Sequence, residues 1–158
     1  MLTIKHCLVD DRRHSNMYQS YIADDIMFIR HYDKFEGAES FSAVLSTLAS
    51  NAPNGQLKGV LFDFRDVTYA TLNNSDRAYG EIFVRKLKHY SQDMSLIRIV
   101  SVYDPENAAL FDMMTDRNQR LSIKMIDLQN FQRVFSHPAA LEILGLPADY
   151  CIEYPTEK

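Results

Sequence analysis

Apolar positions along this chain change period several times, and each change marks an element. Ile26-Met27-Phe28-Ile29-Arg30-His31-Tyr32 is aromatic and aliphatic almost throughout, which suits a strand. From Ala38 the period lengthens. Phe41, Val44, Leu45 and Leu48 make one stripe of an amphipathic helix, stopped by Asn51-Ala52-Pro53-Asn54-Gly55. A buried strand is predicted over residues 57–64, ending in the charges Asp63, Arg65 and Asp66. A polar loop follows, and then the strongest helical pattern in the chain, with Tyr79, Ile82, Phe83, Leu87 and Tyr90 on one face. Asn74 or Ser75 can cap that helix, and Asp76 suits the positive end of its dipole.

Residues 96–102 read as another buried strand. Asp104-Pro105 predicts a helix start, with Asp as N-cap and Pro in the first turn, and Ala108, Phe111, Met113 and Met114 on its apolar side. Residues 123–128 and 131–135 are both candidates for the last strand. A short helix follows Ser136-His137-Pro138 and ends at Gly145-Leu146-Pro147, and residues 148–158 read as an irregular, partly loose tail. At the start, residues 4–9 suit a strand. For residues 15–22 two readings compete: a short helix through Met17, Tyr18, Tyr21 and Ile22, or a hairpin pairing 18–22 with 26–32 across Ala23-Asp24-Asp25. Aromatic and β-branched residues favour the hairpin. The alternation of strands and helices predicts an α/β fold, a single domain over 1–158 with a mostly parallel or mixed open sheet and crossover helices.

Composition narrows the function classes. The length, 158 residues, suits one domain with a substantial core. A net charge of −4 without a basic tract argues against nucleic acid as partner. No apolar run approaches the ~20 residues of a membrane span, and the first residues lack a signal-peptide pattern. The two cysteines, Cys7 and Cys151, read as reduced thiols, and the chain as cytoplasmic.

The usual catalytic patterns are missing. Gly37, Gly55, Gly59, Gly80 and Gly145 cannot be written as a phosphate-cradling loop or a nucleophile elbow. His6, His14, His31, His89 and His137 show no metal-ligand spacing and read as surface or capping residues, so no metal and no cofactor is expected. Two constellations remain as candidate sites. Asp63, Arg65 and Asp66, at the end of a buried strand, could hold a ligand or partner, or Asp63 could pair with Arg65 merely to fix a turn. The hydroxyl and amide loop Thr68-Tyr69-Ala70-Thr71-Leu72-Asn73-Asn74-Ser75 could carry a phosphorylation site or bind an anion on free amides, or serve only as loop and N-cap.

Gly59-Val60-Leu61-Phe62-Asp63-Phe64-Arg65-Asp66-Val67-Thr68-Tyr69, followed by a long helix and the strand 97–102, resembles the STAS superfamily. That superfamily includes anti-sigma-factor antagonists, sulfate-transporter tails and relatives grouped with Sec14-like lipid-binding domains. The ending Val134-Phe135-Ser136-His137-Pro138-Ala139-Ala140-Leu141-Glu142-Ile143-Leu144 is similar to their closing strand and helix, so the likeness spans about residues 26–146. It implies a regulatory domain without chemistry, acting on a protein partner or a small apolar ligand, with a homodimer compatible. The phosphoregulated members carry Asp-Ser-Ser-Gly after the strand motif. Here Thr71-Leu72-Asn73-Asn74 stands there, and Ser75 is not an aligned substitute for the switch serine. Cys7-Leu8-Val9-Asp10-Asp11 also resembles the first strand and acidic pair of a response-regulator receiver, which would place Asp63 near a phosphoacceptor position. A small enzyme using Asp63, Arg65 and Asp66 is the third reading.

Overall fold

The computed structural model describes residues 18–51, 57–71, 76–91, 96–120 and 131–154. The chain begins there with a hairpin. β1 (Tyr18–Ala23) pairs antiparallel with β2 (Ile26–Glu36), Tyr21 opposite Phe28 and Ala23 opposite Ile26. Asp24 and Asp25 form the turn with φ of 52° and 61°. Two consecutive left-handed residues give a turn whose twist matches the strands, and Asp is among the few residues that tolerate the conformation. The hairpin therefore wins over the helix at this point.

Three crossover units follow: α1 (Gly37–Asn51) into β3 (Gly59–Thr71), α2 (Asp76–Tyr90) into β4 (Arg98–Val102), and α3 (Ala108–Arg120) into β5 (Phe131–Val134). The sheet order is β1-β2-β3-β4-β5, with β2 to β5 parallel, so it is the mixed α/β sheet expected. Because the order never reverses, right-handed crossovers put every connecting helix on the same side. Phe41, Val44 and Leu48 of α1, Phe83 and Leu87 of α2, and Leu110 and Met114 of α3 accordingly share one core with Met27, Val60 and Phe62. The opposite face is covered by α4 (His137–Ile143) and the segment after it, around Phe28, Leu61, Val100, Ala140 and Leu144.

Several boundaries differ from those read in the sequence. β3 runs on to Thr71, past the charges taken for its end. It can do so because β2 extends beside it, pairing Tyr32 with Asp66 and Glu36 with Thr71, while arginines neutralise its aspartates. Along that extension β2 is irregular: the register shifts twice, and Asp33 has φ 53° with its carbonyl accepting from Thr68 Oγ1 at 2.8 Å. On α2 the fully buried side chains are Phe83 and Leu87, with Val84 nearly so in place of Ile82, which is half-buried.

Asp104 does not cap α3. Its carboxylate accepts from the Glu106 amide at 2.9 Å, closing a turn, and Asn107 Oδ1 caps the helix by accepting from Leu110 N–H at 3.2 Å. The last strand is the later candidate, Phe131–Val134; residues 123–128 lie outside the described ones. The tail up to Tyr154 is irregular but not loose. Tyr150, Ile152 and Tyr154 pack on the second core, Tyr150 donates to Asp24 Oδ2 at 2.6 Å, and Glu153 N–H donates to the Tyr21 hydroxyl at 2.9 Å. Cys151 within it is disulfide-bonded, contrary to the expectation of two reduced thiols. The chain's other cysteine, Cys7, lies outside the described residues, as do the strand expected at 4–9 and the pair Asp10-Asp11. No helix among the described residues is long and apolar enough to cross a membrane.

Candidate functional site

Side chains alternate along β3, so Val60, Phe62 and Phe64 face the helices while Leu61, Asp63 and Arg65 face α4 and the tail. On the tail side, just beyond the apolar cluster, the strands turn polar. Asp63 is 2% exposed and accepts three hydrogen bonds from one residue: Arg65 N–H at 3.0 Å, Nε at 3.0 Å and Nη2 at 2.7 Å. A carboxylate this deep needs a paired charge, and the bidentate guanidinium supplies it two positions along the same strand. Asp66 is held in parallel fashion by the neighbouring strand, with Arg30 Nε at 2.9 Å and Nη2 at 2.6 Å both donating to its Oδ2. The guanidinium of Arg30 also lies 4.9 Å from the centroid of the Tyr32 ring.

His137, the first residue of α4, closes this group. Its Nδ1 is 3.5 Å from Arg65 Nη2, and since a guanidinium can only donate, Nδ1 is the acceptor and the proton sits on Nε2. Burial and the Arg65 charge hold its pKa below the ordinary histidine value, while Asp63 opposes them weakly. The Tyr154 hydroxyl comes in from the tail. It is shut off from solvent without a hydrogen-bond partner, although the residue as a whole is only half-buried. Burial, then the charge of Asp63, push its pKa well up, so it is a protonated donor at any ordinary pH.

Of the residues singled out in the sequence, the fold therefore brings Asp63, Arg65 and Asp66 into one cluster and adds Arg30, His137 and Tyr154. Thr71 stands apart, exposed at the far end of β3. Asn73, Asn74 and Ser75 lie outside the described residues. The added residues gave no local signal: Arg30 read as one charge inside a strand, His137 as a capping residue and Tyr154 as tail. Only the pairing of β2 with β3, and the return of the chain over the second face, puts them together. His31, also read as a surface residue, is buried on the helix side with Nε2 2.5 Å from Ser40 Oγ. Among the described residues no group of three or more metal-ligating side chains converges. An open groove on α2, lined by Ile82, Arg85, Lys86 and His89, is a separate surface feature.

No family model matches the chain, and no curated protein does. Among solved structures, it is similar to that of the anti-sigma factor antagonist SpoIIAA in its unphosphorylated form. The two share 9% identity, the match covers 82% of this chain and 98% of that one, and the TM-score is 0.46. SpoIIAA is of the kind that the strand motif around Asp63 resembles. At this score the likeness carries no functional argument, and the α/β architecture rests on the sheet itself.

At the strand end the charged side chains hold one another. Both oxygens of Asp63 accept from Arg65. Asp66 is 43% exposed and Arg65 37%, and both present polar atoms outward while held in place from behind. Beyond them Thr68, Tyr69 and Thr71 are exposed on β3, whose ladder with β4 stops at Asp63. Asn107 Nδ2 covers one carbonyl of the stretch beyond it, that of Val67, at 3.2 Å.

Proposed function

We propose that this chain is a non-enzymatic regulatory domain that recognises a protein partner at the carboxyl end of β3. The observation that carries the reading is the pairing of both aspartates at the strand end with arginines, which fixes the surface and leaves no free base or nucleophile among them. Topology supports it. In open α/β sheets a ligand crevice forms where the strand order reverses, and from β2 to β5 this order does not reverse. The contact surface of the proposal is Arg65 and Asp66 with the exposed Thr68, Tyr69 and Thr71.

The receiver reading needs an accessible carboxylate at Asp63, and the burial of that group under Arg65 weighs against it. The small-enzyme reading needs one of the three charged residues to be free to exchange a proton, and their mutual bonding weighs against that too.

Photo-crosslinking in the expressing cell tests the proposal. A benzophenone side chain at position 69 or 71 is expected to trap one protein species. The same group at position 96, where Leu96 is 71% exposed at the opposite end of the sheet, is expected to trap none. Asp66→Arg should abolish the crosslink at 69 by setting two like charges together beside Arg30. Turnover of a metabolite by the purified chain, lost in a folded Asp63→Ala variant, would overturn the reading.

A further inference from the structure

Residues 148–154 cross the second face of the sheet without joining it. They belong to no helix or strand, yet Tyr150, Ile152 and Tyr154 pack there with Phe28, Leu61 and Val100. Two hydrogen bonds tie the segment to the β1–β2 hairpin: the Tyr150 hydroxyl donates to Asp24 Oδ2, and Glu153 N–H donates to the Tyr21 hydroxyl. Ring contacts run to the same hairpin, Tyr150 to Phe28 at 5.9 Å and Tyr154 to Tyr21 at 5.3 Å. One feature works against these holds. The Tyr154 hydroxyl is shut off from solvent with no hydrogen-bond partner, and an unmet buried donor weakens the closed position that buries it. Lifting the segment returns that hydroxyl to water.

Cys151 stands between the anchors Tyr150 and Ile152, half-buried and disulfide-bonded. The sequence has one other cysteine, Cys7. We propose that residues 148–154 are a strap under thiol control: the Cys151 disulfide holds it closed over the second face, and reduction by a dithiol lets it open. A cross-link acts chiefly by restricting the open state, so its loss favours opening while every contact of the closed state is kept. What the open strap uncovers is the apolar surface of Phe28, Leu61 and Val100.

The chemistry is thiol–disulfide exchange. A thiolate of the reductant attacks one sulfur of the disulfide, and the other leaves as a thiolate that takes up a proton. The second thiol of the reductant then displaces the first sulfur. Two electrons pass to the protein, leaving two cysteine thiols and an oxidised dithiol. Half-burial keeps Cys151 within reach of a small dithiol.

Amide hydrogen exchange of the full chain, followed by NMR with and without dithiothreitol, tests the strap. Glu153 N–H reports on its closure, and Leu144 N–H, bonded to the Ala140 carbonyl at 3.1 Å, reports on α4. Alkylation in denaturant with intact-mass measurement is expected to find no free thiol in the air-oxidised chain and both thiols after reduction. Reduction should speed exchange at Glu153 at least about tenfold and leave Leu144 unchanged. Cys151→Ser without reductant should behave as the reduced chain does. In the reduced chain, Tyr150→Phe loses the bond to Asp24 and should speed Glu153 exchange about fivefold. Tyr154→Phe keeps the ring, removes the unmet hydroxyl and should slow it by a similar factor. Free thiols in the air-oxidised chain, equal Glu153 exchange in the two redox states, equal acceleration at Glu153 and Leu144, or faster exchange in Tyr154→Phe would each overturn the strap. Crosslinking at position 69 depends on none of these results, so this proposal and the partner at the end of β3 fail separately.

Discussion

His31 shows at the scale of one residue how burial sets chemistry. Its ring lies 4.8 Å from Phe64, nearly parallel to it, with Phe35 edge-on at 5.2 Å. Nε2 meets Ser40 Oγ, and the buried Nδ1 has no partner. Desolvation pushes the pKa down to about 4, and the contribution of Asp63 in the other direction is smaller. The unfolded chain holds that proton up to the ordinary value near 6.5, so between about 6.5 and 4 the unfolded state binds more protons than the native one. Stability is therefore fullest above pH 6.5 and falls as pH drops toward 4, by up to about 3 kcal/mol from this residue. The depressed pKa of His137 acts in the same direction. Denaturant midpoints measured from pH 7.5 to 4 should show this loss, and His31→Leu should flatten it; an equal slope in the variant would refute the assignment. None of this was legible beforehand, because a histidine in an apolar strand carries no mark of which face it occupies.

Among the elements, β3 is the one that the others are arranged around, and it begins at a tight spot. A Cβ at Gly59 would stand 2.8 Å from Leu144 Cδ2 and 3.3 Å from the Arg98 carbonyl oxygen. The absent side chain is what lets α4 close over the sheet just where the strand starts. Gly59→Ala is expected to cost about 1–3 kcal/mol by overpacking. Leu144 can yield more readily than the Arg98 backbone, so Leu144→Ala should cost less in the Gly59→Ala background than alone. Thermal unfolding of the four proteins gives the coupling, and additive losses would show that the contact does not limit the packing. Of the buried strand expected over residues 57–64, the part from Gly59 onward is observed, where both faces are apolar. The sequence did not show the extension to Thr71, because polar residues 65–71 are stabilised by a partner strand and by arginine pairs, neither of which is local information.

For the whole molecule, the one-directional sheet order leaves a face that no crossover helix covers. A four-strand parallel array with all its connections on one side exposes Phe28, Leu61, Val100 and Val102 on the other, and an open apolar face of that size is an aggregation hazard. α4 and the irregular tail close it, with the Phe28 ring 5.9 Å from Tyr150. Truncation after Pro147 removes Tyr150, Ile152 and Tyr154 from this cluster and should cost about 3–6 kcal/mol, judged from the apolar surface re-exposed. A shortened chain should melt earlier and bind a hydrophobic dye at neutral pH. An unchanged melting temperature would mean that α4 alone seals the face. A tail read as irregular and partly loose is thus part of the core: Tyr150, Ile152 and Tyr154 recur every second residue, but over only five positions and without a partner strand, so packing on the second face and not strand pairing holds them.

Periodicity and turn chemistry by themselves determined the class of fold and the approximate places of the four helices and the inner strands, and left a hairpin and a helix competing at the start. Those are local matters, decided by which side chains recur at 3.6 or 2 residues and by what Pro, Gly and Asp allow in between. Tertiary structure decided the rest: how far β3 runs, which histidine is core, and that Arg30, Asp63, Arg65, His137 and Tyr154 share one site although they span residues 30–154. The site exists because strand register and the return of the tail bring distant charges within hydrogen-bond reach, and their spacing along the chain does not record those distances.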